Sequence, residues 1–336
     1  MKLRYCIIFL SLLWAGCSTS PNKRIILKGD AFGTTYTIQY FGKEQQDIST
    51  GIDSVLNSVN ESVSTYLPNS LISKLNRGET GLQVDAIFKE NFEISKTVHA
   101  QSEGYFDPTV GILRNAYGFG DTAPIKHLDS LVLDSLREFV GFQKVQLFET
   151  GSIQKQAPQI YLDFNAVAKG YGIDQVSEYL ISKGIQHYLI ELGGEILAKG
   201  RNQETQKRWT VGVEGIDSDL ENRTFTHVIA IQNLAVASSG NYRKFRIDSL
   251  TGQKFVHTIN PLNGKAEASN VTSATVTAST CALADAYATA CMAMGLERAK
   301  QMLERLDGVE AYLTYIDEKQ QSKSYATKGF KELIVE

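Results

Sequence analysis

Asp163-Phe164-Asn165-Ala166-Val167-Ala168-Lys169-Gly170-Tyr171-Gly172-Ile173-Asp174 is the stretch on which the reading of the fold turns. Ahead of it, Gln159-Ile160-Tyr161-Leu162 reads as a short strand. Behind it, Gln175 to Gly184 has helical spacing and a glycine stop. The segment is then a strand–loop–helix joint. An acid closes the strand, Lys169 stands among small residues, and two glycines admit another group to the backbone. Free N–H groups and the positive end of a helix suit such a joint to an anion. A plain turn with a solvated Lys169 accounts for the same residues, because a lone glycine pair is a weak signal.

Outward from this joint the chain interleaves helices and strands without a regular βα alternation. Helical stripes run through Ile52, Val55, Leu56, Val59 and Val63, then through Leu71, Ile72 and Leu75, and again over Ala86 to Ser102. Segment 128–140 reads as helical. Strands are expected at 24–29, 34–40, 145–148, 209–213, 228–231, 235–237 and 271–278. Tyr188 to Gly200 reads as one strand interrupted by Gly193-Gly194, with a bulge there. Residues 244–247 and 254–259 flank a turn as a hairpin. Helices over Ala282 to Met294 and Leu296 to Leu306 precede a last strand at Ala311 to Ile316. The pattern argues for α+β, and no Gly-x-Gly-x-x-Gly lies between a strand and a helix to support a Rossmann unit.

The apolar (43%) and charged (21%) fractions over 336 residues are those of a chain that buries a sizeable core. A formal net charge of −3 gives no basic face for nucleic acid. The first residues are a separate matter. Met1 to Arg4 is basic, Tyr5 to Trp14 is almost wholly apolar, and Ala15-Gly16-Cys17 leads into polar residues. That is a signal peptide over 1–16, and Cys17 after Ala-Gly resembles the lipobox cysteine of bacterial lipoproteins. A tether over 17–23 and a single domain over 24–336 follow. The expected location is the bacterial cell envelope, lipid-anchored and facing the periplasm. Cys281 and Cys291 are ten positions apart on one predicted helix, about 15 Å, too far for a disulfide, and read as core residues.

Two further stretches could carry chemistry. In Ala284-Asp285-Ala286-Tyr287-Ala288-Thr289-Ala290, Asp285 and Thr289 share a helix face among small residues. An acid there needs a partner: a magnesium ion that takes its other oxygens from phosphates and water, a helix N-terminus, or an arginine. His257, at the end of the predicted hairpin, is either an acid–base group or a satisfied core histidine. Ser238 to Arg243 is an anion loop or a turn. Gly104 to Gly120 is a slot for a planar ring or core.

Taken in order, Phe-Gly-Thr-Thr-Tyr (32–36), Ser-Thr-Tyr (64–66), Gly-Tyr-Phe-Asp-Pro-Thr-Val-Gly (104–111), Tyr-Gly-Phe-Gly (117–120), the 163–171 stretch, Leu-Gly-Gly-Glu (192–195), Ser-Ser-Gly-Asn-Tyr (238–242), His-Thr-Ile-Asn-Pro-Leu-Asn-Gly (257–264) and the 284–290 stretch resemble the ApbE family of FAD:protein FMN transferases. The resemblance covers nearly the whole chain after the signal. It implies an ApbE-like α+β fold with a mixed or antiparallel sheet. It also implies Mg²⁺-dependent transfer of FMN from FAD to a Thr or Ser hydroxyl of a flavoprotein, with release of AMP. The implied acceptor is a subunit of a Na⁺-translocating or related electron-transport complex. By motif, Phe32, Tyr66, Tyr105, Phe106, Asp107, Asp163, Lys169, His257, Ile259 and Ala288 are expected to line the FAD site. The Ala166 carbonyl with Asp285 and Thr289 is expected to hold the metal. His257, Lys169 and Asp285 are the expected catalytic groups. Phe32 replaces a usual Met, Tyr117 a Trp, Asn241 an Asp and Asn165 a Gly, of which Phe32 bears on flavin stacking. An FAD pyrophosphatase or a non-catalytic flavin-binding lipoprotein would share these residues.

Overall fold

Alternation along the strands gives one sheet two different faces. The chain runs β1 (Lys23–Ala31), β2 (Thr34–Gly42), α1 (Ser49–Val63), α2 (Leu71–Asn76), α3 (Ala86–Gln101), α4 (Gly111–Tyr117), α5 (Ser130–Arg137), β3 (Val145–Leu147), β4 (Ile153–Lys155), α6 (Ala168–Ser182), β5 (Tyr188–Leu192), β6 (Glu195–Lys199), β7 (Trp209–Glu214) and β8 (Phe225–Ile231). It continues through β9 (Leu234–Gly240), β10 (Phe245–Ile247), β11 (Lys254–Val256), β12 (Val271–Ala278), α7 (Cys281–Met294), α8 (Leu296–Glu304), β13 (Glu310–Ile316), β14 (Ser322–Ala326) and α9 (Lys328–Leu333). The computed structural model describes residues 23–42, 48–214, 224–241, 245–247, 252 and 254–335. The expected signal peptide, Cys17 and Tyr242 to Lys244 lie outside the described residues, and Lys23, assigned to the tether, opens β1.

Eight strands form the main sheet in the order β1-β2-β5-β6-β9-β12-β13-β14, with antiparallel neighbours throughout. Tyr36, Ile38 and Tyr40 of β2, Tyr188, Ile190 and Leu192 of β5, and Ala311 and Leu313 of β13 face one side. There they meet α1, α3, α6, α7 and α8 in the main core. The residues between them, such as Phe41, Leu189, Val236 and Tyr312, face the other side against the β7–β8 ribbon and Phe330 of α9. The period of two in each strand thus sorts side chains into two cores. A smaller cluster of Leu113, Tyr117, Val140, Ile259 and Ala266 holds the 104–142 region to the turn after β11. The α+β architecture without a Rossmann unit is the one expected.

α7 lies at the centre of the main core, and its apolar sides are small. Ala282, Ala284, Ala286, Ala288 and Ala290 are all buried. A helix apolar all round is a buried helix, and its lack of bulk lets α6 come close. Gly170 is where they meet: a Cβ there would overlap the Cys281 carbonyl. Asp174, one turn further along α6, accepts from the N–H groups of Cys281 at 2.8 Å and Ala282 at 2.9 Å. It caps a helix more than a hundred residues away. Cys281 and Cys291 are both buried and free, as core residues; burial pushes the Cys291 thiol up to about 12.

The structure corrects several local readings. Lys169, Gly170 and Gly172 belong to the first turns of α6 and not to a loop. Their glycines serve packing, since Gly172 has the Phe32 ring where a Cβ would go, 2.6 Å away. Gln159 to Leu162 begins in a turn and forms a single bridge, Tyr161 to Val110, and not a strand. Gly193 and Gly194, at φ 59° and 105°, make a two-residue hairpin turn between β5 and β6 where a bulge was expected. β13 is not the last strand, since β14 and α9 follow it.

Burial pushes the Asp174 carboxyl from 3.8 up to about 6, against the two N–H groups that favour its charge. The native state therefore holds this proton more tightly than the unfolded chain. Its contribution to stability is fully present below about pH 4 and is lost as pH rises through about 6, a change of about 3 kcal/mol. Urea unfolding of the parent and of Asp174→Asn at pH 4 and pH 7 measures it. The variant compares better with the parent at pH 7 than at pH 4, and an equal difference at both contradicts the assignment.

Candidate active site

The close crossing of α6 and α7 brings three charged groups together. The Gly170 backbone N–H lies near enough to the carboxylate of Asp285 to favour its charge. Asp285 is 6% exposed, and among the described residues its Oδ2 has no hydrogen-bond partner. Lys169, the preceding residue, places Nζ 2.5 Å from Glu195 Oε2. Glu195 opens β6 directly after the two-glycine turn and is 4% exposed. Burial works to lower the Lys169 ammonium, but the carboxylates of Glu195 and Asp285 outweigh it and hold it above its ordinary value. Burial pushes both acids up, with Lys169 pulling against it. Two buried carboxylates thus share one ammonium, an arrangement short of positive charge.

That shortage and the orphaned Asp285 Oδ2 fit a divalent cation. Thr289, half-buried, is one turn along the same face of α7. Ala166 stands one residue ahead of Val167, the N-cap of α6. Among the described residues no group of three or more His, Cys, Asp or Glu could enclose a metal. A cation here would have to draw on a hydroxyl, a backbone carbonyl, water and a substrate's oxygens. Magnesium accepts that kind of site, because it keeps water and binds phosphate.

A second group surrounds the start of the same segment. Arg114 of α4 donates to Asp163 Oδ2, and also to Phe119 O at 2.9 Å. The Asn165 N–H donates to Asp163 Oδ1 at 2.8 Å. The Tyr66 hydroxyl lies near Arg114 and favours its charge, and Tyr66 is 55% exposed. The Asp163 N–H donates to Pro108 O at 2.7 Å, tying this cluster to the 104–111 stretch. Lys169 follows Asp163 by six positions, so the quoted stretch joins both clusters.

The other predicted residues are placed as follows. Phe32 sits at φ 52° in the β1–β2 turn, and its ring lies on Gly172 of α6. Ala288 is buried in α7, beside Thr289. Tyr105 is half-buried beneath the Arg298 guanidinium, 5.4 Å from its ring centre. Phe106 is buried, and its carbonyl bonds His99 Nδ1 at 2.8 Å. Asp107 is committed within the chain. It accepts from the Thr109 N–H and hydroxyl and from the Phe142 N–H, with His99 beside it. Ile259 packs in the small cluster with Leu113 and Tyr117. His257 is half-buried directly after β11 and is engaged within the chain. A cleft of about 380 Å³, lined by His99, Asp107, Arg137, Gly141 and Leu262 among others, shares Asp107 with this set. It contains none of Lys169, Asp285 and Thr289.

Three residues of the site were not singled out from sequence. Glu195 was quoted in a motif without a role, yet a carboxylate that opens a strand as buried as Glu195-Ile196-Leu197-Ala198 requires a cation. Arg114 lay in a stretch read for its aromatics. Asp174 caps a helix distant in sequence, which no local capping pattern signals.

The model of the ApbE family matches residues 32–313. The FAD:protein FMN transferase of Vibrio cholerae is 32% identical over 331 residues, 96% of each chain. That of Haemophilus influenzae is 32% identical over 310 residues, 89% of this chain and 88% of its own. The solved flavin transferase ApbE from Vibrio cholerae superposes with a TM-score of 0.81 at 31% identity, over 93% of this chain and 100% of that one. The apo flavinyl transferase ApbE of Pseudomonas stutzeri also gives 0.81, at 26% identity over 93% and 97%.

The Arg114–Asp163 pair is largely buried, with side chains 18% and 5% exposed. Arg114→Met leaves Asp163 charged and unpaired and should cost about 3 kcal/mol, while Arg114→Met with Asp163→Asn should cost less. Chemical denaturation of both variants checks this. A double variant weaker than Arg114→Met contradicts it.

Proposed function

The chain belongs to the ApbE family, and from that premise we propose that it transfers the FMN half of FAD to a Thr or Ser hydroxyl of a flavoprotein and releases AMP. The observation that carries the reading is the buried Lys169–Glu195–Asp285 cluster, with Asp285 Oδ2 left without a partner. A site built to hold an anhydride needs fixed positive charge and a place for more of it. The relatives that match across nearly the whole chain are named for this reaction.

In this reading Asp285, Thr289 and the Ala166 carbonyl hold Mg²⁺. Bound there, the ion supplies Lewis-acid neutralisation of charge on the pyrophosphate. Lys169 contributes a second positive charge from the first turn of α6, where the helix end also favours phosphate. Tyr66 offers an exposed ring beside Arg114 for the flavin nucleotide, and Phe32 a second ring near α6. The acceptor oxygen bonds to the FMN phosphorus, the anhydride P–O bond breaks, and AMP leaves with the electron pair. The hydroxyl proton passes to His257, which assists as a base or orients the phosphate.

The acceptor proposed is a flavoprotein subunit of an electron-transport complex, of Na⁺-translocating or related type. The location proposed is the cell envelope facing the periplasm, through a signal peptide over 1–16 and an acylated Cys17. The basic and apolar order of the first residues supports this. Among the described residues no helix is long and apolar enough to cross a membrane.

Incubation with FAD, Mg²⁺ and a candidate acceptor tests the reading. Covalent flavin fluorescence on the acceptor is the expected outcome, and Asp285→Ala should reduce it by at least a hundredfold while keeping the parent's circular dichroism. Free FMN without labelled acceptor would point to hydrolysis, and unchanged FAD to binding alone. Full transfer by Asp285→Ala would overturn the metal assignment.

A further inference from the structure

Lys169 stands within the influence of two buried carboxylates but forms an ion pair with only one, by charge proximity and without hydrogen-bond geometry, since Glu195 Oε2 also lacks a hydrogen-bond partner. The Lys169 ammonium is 2.5 Å from Glu195, while Asp285 keeps Oδ2 without a partner. Gly170, the next residue along the chain, has its N–H near enough to Asp285 to favour the carboxylate's charge. The first turn of α6 therefore presents an ammonium and an amide to the same region, and the ammonium pairs with Glu195 instead of Asp285. Lys169 and Asp285 attract each other without forming an ion pair, and an ammonium able to reach a buried carboxylate closes on it unless another acid holds it back. Glu195 is placed to do so. Pairing of β6 with β5 through Leu192 and Glu195 fixes its backbone. The Cys281 thiol, 3.8 Å from the Ile196 carbonyl, seats the start of β6 against the N-terminus of α7.

We infer that Glu195 is a positioning residue: it draws Lys169 away from Asp285 and keeps Asp285 Oδ2 open for the divalent cation. The inference rests on the metal assignment proposed above and gives Glu195 a role in it. Without the Glu195 charge, Lys169 turns to Asp285 and competes with the cation for the same oxygen. Glu195 acts through Lys169, so removing Lys169 as well removes the competitor. A residue that merely ties β6 to α6, or that itself binds the metal, would not show this rescue.

Mn²⁺ alone, titrated into the purified protein with the free ion followed by electron paramagnetic resonance, reads the effect without turnover. Glu195→Gln should weaken binding at least tenfold, and Glu195→Asp should stay within about threefold of the parent. Lys169→Met should bind at least as tightly as the parent. Glu195→Gln with Lys169→Met should return to within about threefold of it. Circular dichroism melting accompanies each variant, and if Glu195→Gln does not fold, Lys169→Met decides. Binding by Lys169→Met weaker than the parent, a double variant as weak as Glu195→Gln, or Glu195→Gln binding like the parent overturns the inference. Asp285→Ala binding Mn²⁺ like the parent overturns the metal assignment beneath it.

Discussion

The approach of α6 to α7 at Gly170 is the constraint on which the rest of the site depends. With no Cβ at that position, the first turn of one helix lies on the N-terminus of the other. Three consequences follow from one contact. Asp174 reaches two free N–H groups of α7. The Gly170 N–H comes near enough to Asp285 to favour its charge. Lys169 is carried to the sheet side, where Glu195 meets it. Glycine within a helix costs about 1 kcal/mol relative to alanine, and α6 carries two in its first turns. The closeness they permit cannot be obtained with any larger residue.

The same contact concentrates charge where the core is otherwise apolar. Asp285 lies on a helix whose neighbours are alanines, and Glu195 opens a strand whose next three residues face two cores. Burying such groups is unfavourable unless each has a partner, and Lys169 cannot fully satisfy both. A core under selection for stability alone would lose one of these acids. Their burial beside a largely apolar core is the physical argument for a bound cation and a phosphate-bearing substrate.

Much of the fold was legible in the sequence because it is periodic. The stripe Ile52, Leu56, Val59 and Val63 is the buried face of α1 as read, and β12 and α7 fall where expected. What escaped was non-local or unpatterned. Gly170 and Gly172 look like loop residues because the helix partners that require them are elsewhere in the chain. Gly193-Gly194 is equally compatible with a bulge or a hairpin until the register of β5 and β6 is known. β14 is an edge strand with mostly exposed polar residues, so it carries no alternation. In the site, Asp285 and Thr289 were visible as an acid and a hydroxyl on one helix face. Glu195 and Arg114 were not, because their partners, Lys169 and Asp163, are brought to them only by the fold.

Anomalous scattering from crystals grown with FAD and Mn²⁺ tests the central claim most directly. A single strong peak should lie at coordination distance, about 2.1 Å, from Asp285 Oδ2, the Thr289 hydroxyl and the Ala166 carbonyl, with the pyrophosphate of FAD against it. A peak elsewhere in the chain, or FAD bound with Asp285 Oδ2 still without a partner, would contradict the account.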